Sequence, residues 1–574
     1  MKNKTEVKTP WYDLYKGIRP HLDYPNHSLY EQLKITCNKY PNYIAYNYFG
    51  NKASFKKLLK DIDECAKALR AYGIKKKDKV TICMPNTPEA IVSFYAINKI
   101  GAVANMIHPL SAENEIKYYL DLSKSKMVIS IDLAWLKLKN VLPKTKVKKT
   151  VLVSVKDSMP TLLGLGYYVT QGKKVERPIE SEDVIYWKTF IEKAKEYDKE
   201  TDAKLDGSYD AAILYSGGTT GTSKGIVLTN LNFNALAMQS YEACACLKPG
   251  MRVLSIMPVF HGFGLGICIH TVLTFGMTAV ILPQFSAKTF DKLLKKYRPN
   301  VIAGVPTLYE ALLKNKNLEK EDLSYIKCAI SGGDSLSVSL KKKVDKFLKE
   351  HGANIQVREG YGLTECVTGS CLTPLDTYKE GSIGIPYPDT YYKIVKPGTM
   401  DEALYGEEGE IVLTGPTVMK GYLNNEKETN ETLKKHKDGM VWLHTGDLGY
   451  MDSKGYVYFK QRLKRVIISS GYNLYPQRIE NIIDELPFVL MSCVIGVDHP
   501  YKVQVAKAFV VLKNDVEANE TIRNEIYDHC AKNLAKYSLP YEIEFRDSLP
   551  KTLVGKVAYR KLEEEEKEKN KNKK

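Results

Sequence analysis

The sequence predicts an α/β protein with a large amino-terminal domain, built of several subdomains with parallel sheets, and a small α+β carboxy-terminal domain. At 574 residues the chain is too long for one hydrophobic core. Short apolar runs alternate with helical patterns at the spacing of parallel βαβ units. After Arg462 a compact unit of mixed strands and helices begins. We therefore predict an amino-terminal domain at residues 1–463 and a carboxy-terminal domain at residues 464–574.

The first βαβ pattern lies at residues 80–107. Residues 80–83 form a short apolar run, and Thr87 then supplies a hydroxyl cap for a helix. Pro88 and Glu89 suit its first turn, and Gly101 ends it. Further buried strands are predicted at residues 102–107, 127–131, 211–214, 252–257, 278–282, 301–305 and 326–331.

The remaining segments are less uniform. Residues 139–204 are rich in lysine and turn residues, which predicts a variable, partly exposed segment. From Gly409 onward, short strands and tight turns follow, including a turn at residues 452–455. The charged tail, residues 563–574, is expected to be frayed and solvated. In the last unit, helices are predicted from Gln477 and Glu520, and strands at residues 489–495 and 506–512.

Composition narrows the class of protein. With 44% hydrophobic and 26% charged residues, it is an ordinary globular chain. Residues 1–15 lack the apolar core of a secretory signal, and eleven scattered cysteines suggest reduced thiols, so we expect a cytoplasmic protein. Residues 265–282 are interrupted by polar groups and are expected to form buried helix and strand. The net charge of +17 suits polyanionic small molecules or an anionic membrane. The sequence contains no recognisable nucleic-acid-binding module.

One segment is rich in groups that bind anions. Residues 214–225 contain four glycines, five Ser and Thr hydroxyls and one lysine, directly after an apolar strand. Such a loop can direct bare N–H groups, hydroxyls and an ammonium toward a phosphate. It is not a Walker A loop, because Thr222 and Ser223 separate Gly221 from Lys224. The spacing argues against a P-loop kinase.

Residues 359–365 also suit a nucleotide. Tyr361 offers an aromatic face for a base, Thr364 a hydroxyl for a phosphate, and Glu365 a carboxylate for Mg²⁺. Another carboxylate, Asp447, follows Thr445 and Gly446 at a predicted turn, where it could accept both ribose hydroxyls.

Cations occur at two further positions. Arg462 and Lys464 lie at the predicted domain boundary, and Lys556 follows Gly555 near the end of the last domain. Taken alone, Asp447 would more often be a turn-capping carboxylate, Tyr361 a core aromatic residue and Lys556 a solvated lysine. Their occurrence together, in one order along the chain, favours a shared site.

In combination these segments resemble the adenylate-forming superfamily, which includes acyl-CoA synthetases, firefly luciferase and peptide-synthetase adenylation domains. The resemblance extends over about residues 30–562 and is strongest to bacterial medium- and long-chain fatty acyl-CoA synthetases. It implies that the protein uses ATP and Mg²⁺ as cofactors and coenzyme A as a co-substrate. It also implies a small carboxy-terminal domain that rotates on a hinge between an adenylating and a thioester-forming pose.

The resemblance implies a role for each matching position. Lys556 would bridge the carboxylate and the α-phosphate, Thr364 would contact the α-phosphate, and His261 would gate the acid pocket or contact the α-phosphate region. Lys464 would be the hinge, and Gly471 would border the pantetheine path. Mg²⁺ would be held by Glu365 and Thr219. The residues implied to hold the nucleotide are Ser216, Gly217, Gly218, Thr219, Thr220, Gly221, Thr222, Lys224, Gly332, Gly333, Asp334, Tyr361, Asp447 and Arg462.

Two positions depart from the family pattern. Gln461 stands where Gly or Asp usually precedes the boundary arginine, and Ile468 where a polar residue is frequent. The second puts local contacts with coenzyme A in question. His261 has a structural alternative, as an ordinary hydrogen-bonded histidine.

The acid is predicted to be a medium- to long-chain fatty acid. Amino-acid-activating relatives carry an aspartate near the position of His261, and here that carboxylate is absent. Residues 265–273 and 366–372 offer small and apolar side chains that suit an alkyl chain.

Several alternatives stay open at this point. They are an aryl- or bile-acid-CoA ligase, a ligase that loads acyl carrier protein, a luciferase-like oxygenase and a non-catalytic nucleotide sensor. Residues 159–169 form an apolar run beside Lys173, Lys174 and Arg177. This run is either buried against the large domain or a peripheral contact with the inner face of the membrane. The oligomeric state is unknown.

Overall fold

A computed structural model describes residues 7–170, 172, 175–216, 223–469, 472–513, 516–534, 536–552 and 556–571. Within these ranges the chain forms four sheets with helices packed between and around them. Two of the sheets are largely parallel, as predicted from the continuous apolar runs of their strands. The α/β fold class is therefore confirmed.

The first large sheet has nine strands among the described residues. Its central strands pair in parallel, and the strands at both ends add antiparallel pairs. In spatial order the strands are Ile385–Pro386, Cys371–Leu372, Val357–Tyr361, Cys328–Gly332, Val301–Gly304, Arg252–Ser255, Thr278–Ile281, Ile44–Tyr48 and Asn51–Ser54.

The second large sheet has eight strands in the described part of the chain. Six of them run parallel, and two antiparallel strands close one edge. In spatial order the strands are Gly421–Tyr422, Lys224–Thr229, Asp210–Ser216, Val103–Met106, Lys79–Cys83, Met127–Ile131, Lys149–Val153 and Val184–Tyr186.

Two smaller sheets follow along the chain. The third is antiparallel and contains Tyr391–Val395, Gly409–Thr414, Leu433–Lys435, Val441–Met451 and Val457–Arg462. The fourth contains Ile467–Ser469, Tyr472–Leu474, Val489–His499, Val503–Leu512 and Glu542–Phe545. The predicted boundary between residues 463 and 464 falls in a short 3₁₀ helix, Leu463–Arg465, that separates these two sheets. Its use as a domain boundary remains a prediction.

Helices connect the strands. Helix Pro88–Lys99 begins as predicted, because the Thr87 hydroxyl accepts a hydrogen bond from the backbone N–H of Ala90. No helix among the described residues combines the length and apolar composition needed to cross a bilayer. The longer helices are Leu29–Lys39, Phe55–Ala71, Pro88–Lys99, Glu113–Ser123, Trp135–Val141, Thr161–Thr170, Asn230–Cys244, Phe263–Thr271, Phe290–Tyr297, Pro306–Lys314, Val338–Glu350, Glu426–Thr432, Pro476–Asp484, Glu520–Asn533 and Tyr559–Lys571.

Two local predictions were wrong and one was incomplete. Residues 139–204 are partly exposed as predicted, but they also contain strands Lys149–Val153 and Val184–Tyr186, which complete the parallel part of the second sheet. Asp447 does not lie in a turn but within a strand that kinks at Gly446, whose φ is +70°. The charged tail is not simply frayed: in helix Tyr559–Lys571, Glu566 is buried and accepts a hydrogen bond from Lys507 Nζ at 3.0 Å.

Candidate active site

A cavity of about 910 Å³ lies where the carboxyl ends of the parallel strands of both large sheets meet. Ligands of parallel sheets bind at this edge, because the loops that follow the strands converge there. Ten of the site residues predicted from the sequence line this cavity. They are Ser216, Lys224, His261, Gly332, Gly333, Tyr361, Thr364, Glu365, Arg462 and Lys556.

The predicted phosphate loop joins two paired strands. Ser216 ends strand Asp210–Ser216, and Lys224 begins the antiparallel strand opposite it in register. Gly217, Gly218, Thr219, Thr220, Gly221 and Thr222 lie outside the described residues. Lys224 Nζ forms an ion pair with the carboxylate of Glu428 and lies 4.9 Å from the ring centroid of Tyr422. An ammonium thus lies at the root of the loop, where an anion would meet it.

Thr364 and Glu365 occupy a short 3₁₀ helix, Thr364–Cys366, just after strand Val357–Tyr361. The Glu365 carboxylate accepts a hydrogen bond from the Tyr422 hydroxyl at 2.9 Å. Tyr422 therefore contacts both the Glu365 carboxylate and the Lys224 ammonium. The arrangement holds a carboxylate and a cation on the same side of the cavity, which suits a polyphosphate and its counter-ion.

A strained turn fixes the position of this segment. Val367 has φ +65° and ψ −60°, and the backbone N–H of Thr368 donates to the Cys366 carbonyl at 2.8 Å, which closes a three-residue γ-turn. The Val367 carbonyl oxygen occupies the space that a Cβ at Gly262 would need, at 1.7 Å. Only glycine fits there, so the segment that carries His261 packs directly against the segment that carries Glu365.

His261 is held as a neutral imidazole. Burial, with a smaller contribution from the nearby Lys556 ammonium, lowers its pKa to about 3. Its Nδ1 accepts a hydrogen bond from the backbone N–H of Phe263 at 3.2 Å, so the ring proton resides on Nε2. His261 can therefore donate a hydrogen bond into the cavity without adding charge.

Tyr361, Asp447 and Arg462 form a connected group. The Tyr361 hydroxyl donates to Asp447 Oδ2 at 2.6 Å, and Arg462 Nε lies 2.9 Å from Asp447 Oδ1. Asp447 and Arg462 face each other in register on neighbouring strands. Burial raises the pKa of Asp447, and the Arg462 guanidinium opposes this by favouring the charged carboxylate. A ribose hydroxyl would meet an oriented anion here.

Lys556 enters the cavity from the carboxy-terminal part of the chain. A Cβ at Gly333, which has φ +83°, would lie 3.5 Å from Lys556 Cε and 3.9 Å from Nζ. Burial lowers the pKa of Lys556, while the charge of Asp334 raises it. The Lys556 backbone N–H donates to the Thr552 hydroxyl at 3.0 Å. Asp334 itself does not line the cavity but acts electrostatically on the lysine that does.

The structure describes only part of the predicted hinge and nothing of the predicted coenzyme A contact. The backbone of Lys464 lies in the short helix Leu463–Arg465, whereas its side chain lies outside the described part. Gly471 also lies outside the described residues. Next to the predicted hinge, Arg465 Nη2 donates to Glu480 Oε1 at 2.6 Å and to the Val494 carbonyl at 3.1 Å. These contacts tie the short helix to the fourth sheet.

The cavity extends inward from His261 between the first large sheet and two helices, Asn230–Cys244 and Phe263–Thr271. Helix Phe263–Thr271 is a π-helix, a form with i→i+5 hydrogen bonds that is frequent at functional sites. The far end contains no carboxylate or ammonium among the described residues. It is lined by Leu247, Val253, Thr271, Val272, Met277 and Val301.

Several residues of the site were not predicted from the sequence. Tyr422 and Glu428 contact Glu365 and Lys224, yet they lie in no recognisable motif. Glu410 also lines the cavity, where its Oε1 accepts the Gly446 N–H at 3.0 Å and its Oε2 lies 2.9 Å from His444 Nδ1. Val367 could not have been found, because a β-branched residue is among the least expected at positive φ.

Known proteins resemble the chain in both sequence and fold. The family model described as AMP-binding enzyme matches residues 33–423, and the model described as AMP-binding enzyme C-terminal domain matches residues 478–556. A long-chain-fatty-acid–CoA ligase of Bacillus subtilis (strain 168) is 35% identical over 571 residues, covering 98% of each chain. A long-chain-fatty-acid–CoA ligase of Haemophilus influenzae is 32% identical over 572 residues, covering 97% of this chain and 98% of the relative.

A solved structure has the same overall fold. The crystal structure of ATP-bound MatB from Rhodopseudomonas palustris superposes with a TM-score of 0.81 at 25% identity. The match covers 94% of this chain and 98% of that one.

Proposed function

Because the chain belongs to the AMP-binding enzyme family, we propose that it is an acid–thiol ligase that activates a medium- to long-chain fatty acid. The acid reacts with ATP to form an acyl-adenylate and pyrophosphate. Coenzyme A then takes the acyl group as a thioester and AMP is released. The names of the full-length relatives support this choice of acid.

The observation that carries the proposal is the polarity of the cavity. Its outer end contains the Lys224 and Lys556 ammoniums, the Arg462 guanidinium and the Glu365 carboxylate, whereas its far end is predominantly apolar. Its volume of about 910 Å³ lies near the upper end of the range, about 300–1,000 Å³, that is usual for ligand sites. An anionic nucleotide at one end and an alkyl chain at the other match this distribution.

In the first step a carboxylate oxygen of the acid attacks the α-phosphorus of ATP, and the bond to the bridging oxygen breaks as pyrophosphate leaves. Two anions must approach each other in this step, so a cation between them lowers the barrier. Lys556 is suited to this task because its ammonium lies beside Gly333, where the charge of Asp447 acts on it. Neutral His261 can donate its Nε2–H to an oxygen of the reacting groups.

Mg²⁺ fits the carboxylate of Glu365. One of its oxygens takes the Tyr422 hydroxyl, and in the described part of the chain the other has no hydrogen-bond partner. Carboxylate oxygens combined with phosphate oxygens are the ligands that Mg²⁺ prefers. Glu365 would hold the ion, with Thr219 as the second predicted ligand. When bound, the ion neutralises charge on phosphate oxygens.

In the second step the sulfur of coenzyme A attacks the acyl carbon, loses its proton, and displaces AMP. We propose that the carboxy-terminal domain turns about Lys464 between the steps, which moves Lys556 out of the cavity. Gly471 would then border the path of the pantetheine arm. We also propose that the protein makes a peripheral contact with a membrane.

The test is identification of the products. Purified protein with palmitate, ATP, Mg²⁺ and coenzyme A should release AMP and pyrophosphate and form palmitoyl-CoA in equal amounts, as measured by mass spectrometry. Benzoate, cinnamate, a bile acid and α-amino acids serve as competing acids. A clear preference for any of them would contradict the proposed substrate.

Two control reactions separate the alternatives. Omitting coenzyme A should stop turnover after one acyl-adenylate per site, whereas a carrier-protein ligase would be insensitive to coenzyme A. Oxygen consumption or light emission in the complete mixture would instead support oxygenase chemistry.

A further inference from the structure

An exposed helix without charged residues stands out on the surface. We call helix Thr161–Thr170 the surface helix. Only Gly164 is buried among its ten residues. Leu162 is 84% exposed, Leu165 58% and Val169 62%. Large apolar side chains clustered in this way on a surface mark an interaction site.

The surface helix is held in place by the segment before it. Asn51 Nδ2 donates to the Ser158 carbonyl at 2.9 Å, and the Tyr48 hydroxyl donates to the Val155 carbonyl at 2.9 Å. Met159 and Tyr167 pack against the main hydrophobic core. The exposed leucines are therefore presented from a fixed base, on the side of the helix that faces away from the core.

The helix lies on the same edge of the second sheet as the cavity. It follows strand Lys149–Val153, while the cavity residue His108 follows the parallel strand Val103–Met106, three positions away in the sheet. At about 4.8 Å per strand the two strands lie about 14 Å apart.

More exposed leucines occupy the interval between them. Leu110 is 64% exposed, Leu133 53% and Leu136 52%. Lys137 Nζ ties this region together by donating to the Leu110 carbonyl at 2.9 Å. A row of apolar side chains thus runs from the rim of the cavity to the surface helix.

Cations flank the apolar row. Lys156 Nζ lies 4.9 Å from the ring centroid of Tyr168, and the Arg177 guanidinium carbon lies 5.3 Å from it. Residues 154–179, which follow strand Lys149–Val153, contain four lysines and arginines and two acidic residues. Of these, Glu176 is paired with Lys139 at 2.8 Å, and Asp157 accepts the Ser154 N–H at 2.9 Å. The face is therefore apolar in its centre and positive around it.

We propose that the surface helix, the exposed leucines beside it and the flanking cations form a docking face. This docking face binds a bilayer that contains anionic phospholipid. Leu162, Leu165 and Val169 insert at the level of the acyl chains, and Lys156 and Arg177 contact lipid phosphates. A helix of ten residues is about 15 Å long, so it lies in the interface rather than crossing it. A nucleic acid would require the cations at the centre of the face rather than at its rim.

The docking face would bring the cavity rim close to fatty acid dissolved in the bilayer. This consequence rests on the proposed function, whereas binding to lipid does not. Vesicle binding is therefore measured without ATP, acid or coenzyme A. A failure to bind would refute the docking face and leave the ligase activity untouched.

The experiment is vesicle flotation of the full chain, with phosphatidylcholine vesicles and with vesicles that also contain phosphatidylglycerol. The double variant Leu162→Gln/Leu165→Gln should lower the partition coefficient at least about tenfold, because two buried leucine side chains are lost. Lys156→Gln/Arg177→Gln should lower binding to the anionic vesicles about fivefold per cation and leave binding to the neutral vesicles unchanged.

The matched control is Leu404→Gln. Leu404 is 72% exposed and lies between strands Tyr391–Val395 and Gly409–Thr414 of the third sheet. This variant should bind like the wild type, and all variants should keep the wild-type melting temperature. Equal binding to neutral and anionic vesicles would overturn the proposal, as would wild-type binding by the double leucine variant. Lipid-free self-association that this double variant abolishes would assign the face to a second copy of the chain and also overturn it.

Discussion

Replacement of Lys556 by methionine separates the two half-reactions. Methionine keeps most of the side-chain length but removes the ammonium that lies over Gly333. Because burial lowers the pKa of Lys556, folding already bears a cost for holding this charge out of water. The variant should therefore melt at the wild-type temperature or slightly above it.

The expected loss in adenylation follows from the position of the charge. Removal of one preorganised group that stabilises developing charge typically costs about 3–4 kcal/mol, or about a hundredfold to a thousandfold in rate. Asp334, Arg462 and Asp447 all act electrostatically on Lys556, and Arg462 cannot replace it because its guanidinium is already paired with Asp447. We expect a loss in the upper part of this range.

The assay is exchange of labelled pyrophosphate into ATP, which reports adenylation alone. Thioester formation from chemically prepared acyl-adenylate is measured in parallel and should survive within about threefold, since no phosphoryl transfer remains for Lys556 to assist. Lys567→Met, which changes an exposed lysine of the terminal helix Tyr559–Lys571, is the control and should behave like the wild type. An equal fall in both half-reactions would refute the assigned role.

Three further perturbations give distinct outcomes. Lys464→Pro should keep pyrophosphate exchange and lose acyl-CoA formation, because proline restricts the backbone at the proposed hinge; normal overall turnover would remove the hinge assignment. Gly262→Ala should lower the free energy of unfolding by about 1–3 kcal/mol in denaturant melts, because its Cβ would lie 1.7 Å from the Val367 carbonyl oxygen. Gly166→Ala, which meets no atom within 4 Å, is its control and should not destabilise the fold. Burial raises the pKa of Glu89 to about 7, above the value of about 4.3 expected in the unfolded chain. Glu89 therefore stabilises the fold fully below about pH 4.3, and this stabilisation is lost as the pH rises through 7. Glu89→Gln should flatten that decline in urea melts, and an unchanged pH dependence would show that Glu89 is not its source.

The parallel sheets were predictable because strands buried on both faces must be apolar throughout. Strand Met127–Ile131 was predicted with the same bounds for this reason. Helix Pro88–Lys99 was predicted from its capping residue Thr87 and from Pro88 in its first turn. Lys149–Val153 and Val184–Tyr186 were missed, because they are short and lie among lysines and turn residues. The terminal helix was missed because the ion pair of Glu566 with Lys507 joins residues far apart in the chain.

The candidate site was predictable where the chemistry resides in local motifs. Glu365, Asp447 and Lys556 belong to short segments whose residue types match their surroundings, and the structure brings those segments together around one cavity. The Lys224–Glu428 ion pair joins positions 204 residues apart, so no local sequence pattern predicts it. The strain at Val367 depends on the close approach of Gly262, which only the tertiary structure reveals.

The central claim is that one cavity binds the reacting carboxylate at its charged end and an alkyl chain at its apolar end. The direct measurement is kcat/KM for a series of saturated straight-chain acids, from acetate to stearate, at fixed ATP and coenzyme A. Each buried methylene should contribute about 0.8 kcal/mol, or about fourfold in kcat/KM, until the chain reaches the wall formed by residues such as Met277 and Val301. We predict a steep rise from acetate and a plateau among the medium to long chains. A profile that does not change with chain length, or a maximum at acetate, would contradict the account.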